Sequence, residues 1–388
     1  MAFLFDAIIV GGGPAGAAAA KACADGGLRA ILVERRALPR PKACSGILVP
    51  ASIDLVSRHF GAIPPDVLAE PSALQSLRMH FPSGRTLDVP LGGAFVRRGL
   101  FDQWLCRAAG VEISEGTTAV SFEESADAVT VRCTRGPREE LVVQGRVLIA
   151  ADGGTSRIVR AIAPERHGRL AWYAALQEAW DAPCSLEPGR FHFFAFPSIS
   201  PYPSAYVKDG KTVLEVVAAA GDSAEAAMKR FSELLKRGFG LGEGGGRRAS
   251  RLGCRVAYAA TRGLFCFGSG RILVAGEASG LLNPFGEGIS SALASGRIAG
   301  EAAVRALREG RVPGVLYREA VEVQRQRTLR QFRYGAYLAG RDVTFDIRKG
   351  LAGLPVTGRI RLVTDLLGWL ASLGGPAGPR PGGGRGSR

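Results

Sequence analysis

The sequence predicts an α/β fold made of two interleaved domains and a C-terminal helical region. A glycine-rich turn follows the first apolar strand, and two more buried strands that run into turns occur near residues 150 and 275. Between them lies a stretch rich in aromatic residues and proline, which favours a separate antiparallel sheet. The predicted boundaries are 1–72, 92–164 and 262–300 for a Rossmann-like nucleotide-binding domain, 73–91 and 165–261 for a substrate-binding domain, 301–373 for the helical region and 374–388 for a disordered tail.

The first strand, turn and helix predict a dinucleotide site. Gly11, Gly13 and Gly16 follow an Ile- and Val-rich run in G-x-G-x-x-G register, and an alanine-rich helix comes next. The three glycines permit, in order, a tight turn, close approach of a pyrophosphate to the backbone, and close packing of the helix on the strand. A second strand ends at Glu34, where a carboxylate can bind the hydroxyls of an adenosine ribose.

Composition bounds the possible functions. The chain has 388 residues, of which 46% are hydrophobic, and it has seven cysteines and four histidines without metal-ligand spacing. We expect no signal peptide and no bilayer-spanning run, so a reducing cytoplasm fits best. The net charge of +15 leaves open a peripheral position at the inner face of the membrane. Nucleic-acid binding is not expected, because no basic run is interleaved with aromatic residues.

The elements after the first unit follow in order. Residues 38–50 form a proline-containing loop in which Cys44 is either an apolar filler or a functional thiol. Residues 52–60 predict a short helix and residues 74–89 a hairpin. Arg98 stands at the entry of the next helix, and three strands and a buried strand that ends near Asp152 come after it.

The remainder of the chain alternates between the two domains. Residues 191–203 are rich in phenylalanine and proline, which suits either an ordinary aromatic core or the cover of an apolar ligand. Residues 223–237 predict an amphipathic helix. Residues 271–280 return to the nucleotide-binding domain, and a glycine-rich segment then leads into a helix of small residues at 290–303. The first N–H groups of that helix have no acceptor within the helix, and they point towards the group that lies in front of its N-terminus.

Four separated segments resemble FAD-dependent oxidoreductases of the aromatic-hydroxylase fold. They are Gly11-x-Gly13-x-x-Gly16 with Glu34, Arg98-x-x-Phe101-Asp102, Ala151-Asp152-Gly153, and the Gly276-Glu277-Ala278 block that runs to Ile289. Within this group the chain is most similar to the geranylgeranyl reductase family. Residues 42–46, which contain Cys44, resemble the cysteine-containing flavin loop of those reductases, and residues 276–296 are close to theirs.

The resemblance implies a cofactor site for FAD. Ala15, Glu34, Arg35 and Arg98 would hold the ADP half, Val120 would touch the adenine, and Gly288 and Ile289 would present N–H groups to the pyrimidine edge of the flavin. Cys44, Ser45 and Gly46 would lie beside the isoalloxazine, with Cys44 at the reacting face. The complete implied set is Gly11, Gly13, Pro14, Ala15, Gly16, Glu34, Arg35, Cys44, Ser45, Gly46, Arg98, Val120, Asp152, Gly276, Glu277, Gly286, Gly288 and Ile289.

The chain departs from the family at two places. Glu277 replaces the usual aspartate, and one extra methylene still permits contact with the cofactor. The family's lipid-pocket signature, roughly Tyr-x-Trp-x-x-Pro, is poorly kept. It corresponds either to the segment that contains His192, Phe194 and Phe196, or to the one that begins at Tyr202, and these four side chains are the predicted substrate pocket.

The resemblance implies a reductase that saturates C=C bonds in an apolar prenyl (geranylgeranyl-type) or isoprenoid-lipid substrate. The alternatives are an FAD-dependent monooxygenase of aromatic or polyketide-like substrates and a lipid-binding protein with FAD as a structural component. Only one complete dinucleotide fingerprint is present, so NAD(P)H or ferredoxin remains open as the electron donor. The oligomeric state is not indicated by the sequence, and no metal site is expected.

Overall fold

The computed structural model describes residues 5–136, 139–196, 198–201 and 203–339. Two eight-stranded sheets and the helices around them make up this part of the chain, so the predicted α/β class with one mainly parallel and one mainly antiparallel sheet is confirmed. The last residues of the predicted helical region, the predicted tail at 374–388 and Tyr202 lie outside the described residues.

The nucleotide-binding sheet has the central order β16-β9-β1-β2-β6, and all neighbours in this part are parallel. Strand β8 pairs antiparallel with β9, β7 pairs antiparallel with β8, and β15 pairs antiparallel with β16. Its strands are β1 (Phe5–Val10), β2 (Ala30–Val33), β6 (Glu112–Ser114), β7 (Thr117–Glu124), β8 (Val129–Arg135), β9 (Glu139–Ala150), β15 (Gly268–Ser269) and β16 (Ile272–Val274).

The second sheet has the order β14-β10-β13-β12-β11-β4-β5-β3 and is antiparallel except for the β11–β4 pair. The predicted hairpin is present, and its strands reach further than the predicted boundaries of 73 and 91. The strands are β3 (Ile47–Leu48), β4 (Leu68–His80), β5 (Thr86–Val96), β10 (Trp172–Asp181), β11 (Arg190–Phe194), β12 (Ser204–Lys208), β13 (Lys211–Ala219) and β14 (Arg247–Ala257).

Eight α-helices lie in the described part of the chain. They are α1 (Pro14–Asp25), α2 (Pro50–Phe60), α3 (Arg98–Ala108), α4 (Arg157–Ile162), α5 (Pro164–Arg169), α6 (Ala224–Phe239), α7 (Ile289–Glu309) and α8 (Pro313–Ala339). Two single 3₁₀ turns cover Ala259–Arg262 and Gly276–Ser279. Among these helices none combines the length and the apolar character that a bilayer crossing requires.

Small residues bring α1 and α7 into close contact. A Cβ atom on Gly296 would overlap the backbone of Ala15, and one on Gly300 would lie 2.5 Å from the carbonyl oxygen of Ala19. Since only glycine permits this approach, the two helices lock together on one face of the nucleotide-binding sheet. Their N-termini therefore face the same space.

The amphipathic helix α6 covers one face of the second sheet. The Ser223 hydroxyl caps its N-terminus by accepting from the Ala226 N–H at 3.1 Å, and Gly240 ends it in a left-handed conformation. Phe231 and Leu235 are buried against Phe194 of β11 and its neighbours. The opposite face of this sheet is left to line a cavity.

Candidate cofactor and substrate site

A cavity of about 790 Å³ lies between the two domains. Its floor is made by the glycine-rich turn after β1, the loop that contains Cys44 and the start of α7, and its roof is the second sheet. This volume is in the range of small-molecule and cofactor sites. The dinucleotide fingerprint and the predicted substrate domain therefore face one continuous space.

The glycine-rich turn is open towards the cavity. Gly11 has a φ of 111° and packs so closely on Ala151 that no side chain fits, and Gly16 packs against the carbonyl oxygen of Gly11. Gly13 precedes α1 as its N-cap, and a Cβ atom there would meet only Arg40 Nη2, at 4.0 Å. The first N–H groups of α1 thus meet the cavity across a surface that nothing in the described chain covers, which suits an anion.

Glu34 lies at the end of β2, as the sequence predicts, and it lines the cavity while only 4% exposed. Its Oε2 accepts from the Gly12 N–H at 2.7 Å, and its Oε1 accepts from the Arg36 N–H at 3.0 Å. These two bonds fix the carboxylate beside the glycine-rich turn. A ribose above the turn would meet an acceptor already held in position.

Arg40 is a site residue that the sequence analysis missed. Its guanidinium lies 3.4 Å from Glu34 Oε1 and 3.2 Å from Asp102 Oδ2, and it donates to the carbonyl oxygen of Gly12 at 3.2 Å. The residue lies in the proline-containing loop that the sequence identified, next to Lys42, which also lines the cavity. Two basic residues, Arg40 and Lys42, in a proline-containing loop were the signal that could have indicated it.

Arg98 lines the cavity and is 8% exposed. Its Nη2 donates to Oδ1 of the fully buried Asp102 at 2.9 Å, and its Nη1 donates to the sulfur of Cys44 at 2.9 Å. Arg97 points elsewhere, pairs with Asp209 at 2.6 Å and does not line the cavity. The two neighbouring arginines therefore have opposite surroundings.

The Cys44 sulfur accepts hydrogen bonds in this arrangement. Besides the Arg98 guanidinium, the Gly46 N–H donates to it at 3.5 Å. The loop is fastened to the second sheet by Lys208, whose Nζ donates to the carbonyl oxygens of Ser45 at 2.8 Å and Val96 at 2.7 Å. Burial lowers the pKa of Lys208, and the nearby Cys44 and Asp209 oppose that effect. Lys208 was not predicted, because nothing in β12 marks it.

The segment before α7 is held by its own side chains. Asn283 Oδ1 accepts from the N–H groups of Phe285 and Glu287, each at 2.9 Å, while its Nδ2 is buried without a hydrogen-bond partner among the described residues. Gly286 adopts a left-handed φ of 74° in this turn. The amide Nδ2 of Asn283, a residue that lines the cavity, is therefore a hydrogen-bond donor without an acceptor among the described residues.

The start of α7 meets the cavity at Gly288 and Ile289. The carboxylate of Glu287 turns back onto Ser290 and accepts from its N–H and its hydroxyl, each at 2.8 Å. The N–H groups at the very start of the helix have no acceptor within the helix. They supply the partial positive charge of a helix N-terminus to this end of the cavity.

Asp152 and Glu277 lie on the nucleotide-binding side. Asp152 Oδ2 accepts from the Arg157 N–H at 3.0 Å, whereas Oδ1 is buried without a partner among the described residues. Burial raises the pKa values of both carboxyl groups, and Lys42 opposes the shift at Glu277. Gly154 is packed against the Glu277 side chain, so the extra methylene is accommodated beside a residue with no Cβ. Gly276 lies against Ala15.

The roof of the cavity is one face of the second sheet. Cross-strand partners in register form a row from β10 to β5, and all of its members line the cavity: Gln177, Glu215, Ser204, Phe193, Met79 and Leu87. A second, apolar row runs alongside it through Phe191, Leu77 and Val89, and Val217 lines the cavity on the other side of the first row. Most of this face suits a hydrocarbon, and its polar part is confined to the strands β10, β13 and β12.

The structure does not bring the predicted pocket residues to this face. His192 is 1% exposed and, like Phe194 and Phe196, does not line the cavity, since the side chains that point there from β11 are Phe191 and Phe193. His192 Nδ1 is hydrogen-bonded to His80 Nε2 at 3.0 Å, and Phe194 packs on α6. The predicted positions are thus shifted by one residue along a strand whose side chains alternate between faces.

Val120 has a side chain that is 49% exposed and does not line the cavity. The lining residues of β7 are instead Thr117, Thr118 and Ala119, next to it on the same strand. Of the other predicted cofactor residues, those that line the cavity are Gly11, Gly13, Pro14, Ala15, Glu34, Arg35, Cys44, Ser45, Arg98, Asp152, Glu277, Gly286, Gly288 and Ile289. Gly16, Gly46 and Gly276 lie beside it as packing positions.

Known proteins with similar sequences identify the family. No family model matches the chain. A geranylgeranyl diphosphate reductase of Rhodobacter capsulatus is 30% identical over 316 residues, which cover 79% of this chain and 77% of that protein. The chain belongs to the geranylgeranyl reductase family. A digeranylgeranylglycerophospholipid reductase of Methanopyrus kandleri is also 30% identical, over 79% of this chain and 82% of that protein.

Solved structures confirm the fold that the sequence predicts. A geranylgeranyl bacteriochlorophyll reductase-like protein from Thermoplasma acidophilum has a TM-score of 0.77 at 18% identity and covers 95% of this chain and 99% of its own. A ternary complex of aklavinone-11 hydroxylase with FAD and aklavinone has a TM-score of 0.64 at 19% identity, with 86% and 69% covered. The architecture is thus common to reductases and hydroxylases.

The residues that line the cavity fit FAD. The open turn above Gly13 and the start of α1 suit a pyrophosphate, and Glu34 suits a ribose. The unpartnered Oδ1 of Asp152 and Nδ2 of Asn283 provide an acceptor and a donor that a polar cofactor would satisfy. The start of α7 suits the electron-rich edge of a reduced flavin.

Proposed function

We propose that this protein is an FAD-dependent reductase of C=C bonds in a geranylgeranyl-type prenyl lipid. One observation carries the proposal: the dinucleotide fingerprint opens into the same cavity as an apolar sheet face. A hydrocarbon chain can lie along that face, next to the loop of Cys44, in a space that the two sheets close on opposite sides. Membership of the geranylgeranyl reductase family supports this assignment.

One domain would bind the cofactor and the other would bind the substrate. Glu34, Arg40, Arg98 and the start of α1 would hold the ADP half of FAD, and the start of α7 would hold the flavin edge. When bound and reduced, this cofactor would supply the hydride. Phe191, Phe193 and their neighbours would orient the chain and exclude water, so that an alkene lies beside the ring in a reactive geometry.

Lys208 would position the Cys44 loop. It joins Ser45 on the cofactor side to the roof through one ammonium group. We infer that the loop shapes the alkene pocket, because the Cys44 sulfur accepts from Arg98 and Gly46. The electron donor, NAD(P)H or ferredoxin, would bind only transiently, because the sequence contains one complete dinucleotide fingerprint and this fingerprint is assigned to FAD.

We also propose that the enzyme works in the cytoplasm at the inner face of the membrane, where a prenyl lipid partitions. The seven free cysteines agree with a reducing compartment. Sedimentation with vesicles of anionic phospholipid tests this, and a protein that stays in the supernatant at low ionic strength contradicts it.

The test of the function is an anaerobic turnover. Purified protein reconstituted with FAD is reduced with dithionite and mixed with geranylgeranyl diphosphate, and the lipid is analysed by mass spectrometry. We expect products heavier by one or more pairs of hydrogen atoms and reoxidation of the flavin. Unchanged lipid, or a hydroxylated product that appears only with oxygen and NAD(P)H, contradicts the proposal and favours a monooxygenase.

A further inference from the structure

A carboxyl group stands in the otherwise apolar roof of the cavity. Glu215 belongs to β13, between Gln177 of β10 and Ser204 of β12 in the cross-strand row, and it lines the cavity. The same row continues into Phe193 and Met79. A carboxylate is costly to place on an apolar surface, so its presence in this row requires a reason.

The environment of Glu215 favours the neutral acid. Its Oε1 accepts from Gln177 Nε2 at 2.6 Å and from the Tyr206 hydroxyl at 3.0 Å, and the Ser204 hydroxyl also bonds to this carboxyl group. Burial raises the pKa of Glu215, and these bonds oppose the shift only in part. Gln177 and Tyr206 both donate to Oε1, so Oε2 is the oxygen that is left to carry the proton of the neutral acid.

Tyr206 fixes the direction of this group. It is fully buried and stacks between Phe95 and Phe191, with ring centroids 5.6 and 5.5 Å apart. Its hydroxyl therefore has no freedom to turn away from Glu215. Burial also raises the pKa of Tyr206 well above its ordinary value, so the hydroxyl stays a donor.

Glu215 and the cofactor side act on one common side chain. Burial raises the pKa of Cys254, a cavity residue of β14, to about 11, and Lys42, Glu277, Cys44 and Glu215 all influence it electrostatically. All of these groups line the same cavity. The carboxyl group of the roof therefore shares that cavity with the Cys44 loop and with the residues proposed to hold the flavin.

We propose that Glu215 is the proton donor for alkene reduction, with Tyr206 and Gln177 as positioning residues. The assignment rests on the proposed function. In the step, the π bond of the alkene breaks, one carbon receives the hydride from the reduced cofactor and the other receives the proton from Oε2. Two C–H bonds form, the two electrons come from the cofactor, and Glu215 is left as a carboxylate that regains a proton from water.

Cys44 and Glu215 lie on opposite sides of the cavity. The Cys44 sulfur accepts from the Arg98 guanidinium at 2.9 Å and from the Gly46 N–H, and these contacts hold it on the cofactor side. Glu215 stands in the roof, where Gln177 and Tyr206 both donate to Oε1 and leave Oε2 for the proton. Shape and proton transfer are thereby assigned to different residues on opposite sides of the cavity.

The test uses Glu215→Gln, which keeps the size and the acceptor oxygen and removes the acid. The matched control is Glu178→Gln. Glu178 belongs to the neighbouring strand β10, is 4% exposed, pairs with Arg248 at 3.0 Å and does not line the cavity. Each protein is loaded with FAD, reduced with dithionite and mixed anaerobically with geranylgeranyl diphosphate, and flavin reoxidation is followed in a single turnover.

We expect Glu215→Gln to bind FAD and accept electrons like wild type but to reduce the alkene about 10²–10⁴-fold more slowly, the usual effect of losing a general acid. The wild-type rate should fall as pH rises through the raised pKa, Glu215→Asp should keep that fall, and Glu215→Gln should lose it. Glu178→Gln should keep both rate and pH profile. An infrared spectrum of the holoenzyme at neutral pH should contain a protonated-carboxyl band that Glu215→Gln alone lacks.

The outcomes separate the two proposals. If the wild type reduces the lipid and Glu215→Gln does so equally fast, or more slowly with an unchanged pH profile, Glu215 is not the donor and the proposed function stands. If the infrared band is the same in all three proteins, the neutral acid is not Glu215 and the assignment fails without any turnover measurement. If reduced wild-type protein leaves the lipid unchanged, both proposals fail together.

Discussion

Two neighbouring arginines offer a test of the cofactor site with an internal control. Arg98 is buried, bonds to Asp102 and lines the cavity, whereas Arg97 pairs with Asp209, donates to the carbonyl oxygen of Asp66 and does not line it. The perturbation is Arg98→Ala, and its control is Arg97→Ala. Both remove one guanidinium at adjacent positions, so a general change of charge affects them equally.

The expected loss of FAD affinity follows from the contacts of the two arginines. If Arg98 meets the pyrophosphate of FAD, its loss removes a charge-assisted hydrogen bond of about 1.5–3 kcal/mol, which raises the Kd about 10- to 150-fold. Asp102 keeps Arg40 at 3.2 Å, so the buried acid is not left without a cation and the variant should fold. Arg97→Ala loses a half-exposed pair of about 0–1 kcal/mol and should leave the affinity for FAD unchanged.

The assay is a titration of the deflavinated proteins with FAD, followed by flavin fluorescence and repeated at two ionic strengths. Arg98→Ala alone should weaken binding. Equal weakening by both variants would indicate that the +15 net charge attracts the cofactor without a specific contact. Full affinity in Arg98→Ala would remove Arg98 from the pyrophosphate site.

Three further predictions concern other residues. Gly13→Val should abolish FAD binding yet leave the apoprotein as stable as wild type in urea, because a Cβ atom at this position would meet no protein atom closer than 4.0 Å; bound flavin in the variant contradicts this. Cys44→Ser and Cys44→Ala should both bind FAD and change mainly the product distribution by mass spectrometry, whereas a far slower reaction in the Ala variant alone would make the thiol the donor. Burial and then His192 lower the pKa of His80 from 6.5 to about 4. As pH falls from 6.5 to 4, the unfolded chain therefore takes up a proton at this residue before the folded chain does, and the free energy of unfolding should decrease. Urea midpoints against pH should show less of this loss in His80→Gln, and an equal loss would assign it to other groups.

The cofactor half of the site was predictable because its signal is local. Gly11, Gly13 and Gly16 stand within one turn. Close backbone contacts require Gly11 and Gly16, whereas Gly13 leaves the turn open towards the cavity. Glu34 follows at the end of the next strand, where the parallel pairing of β1 and β2 brings it beside the turn. A short motif read in order was therefore sufficient to place both.

The substrate half was not predictable in the same way, because its residues converge from strands far apart in the chain. Gln177, Ser204 and Glu215 meet only through the register of β10, β12 and β13. In β11 the sequence has aromatic rings at four successive positions, 191–194, so no alternation of polar and apolar residues reveals which face is which. This is why His192 and Phe194 were predicted where Phe191 and Phe193 line the cavity.

The floor and the roof of the cavity are held by different kinds of contact. The packing of α1 on α7 through Gly296 and Gly300 fixes the two helix N-termini, and hence the floor of the cavity, by contacts that no larger residue permits. The roof is held differently: α6 packs on the far face of the sheet, so side chains on the near face can change without disturbing that core. Glu215→Gln should therefore leave the fold intact, whereas a larger residue at Gly296 or Gly300 should disrupt it. This difference is why the test of the proposed proton donor can separate a loss of chemistry from a loss of structure.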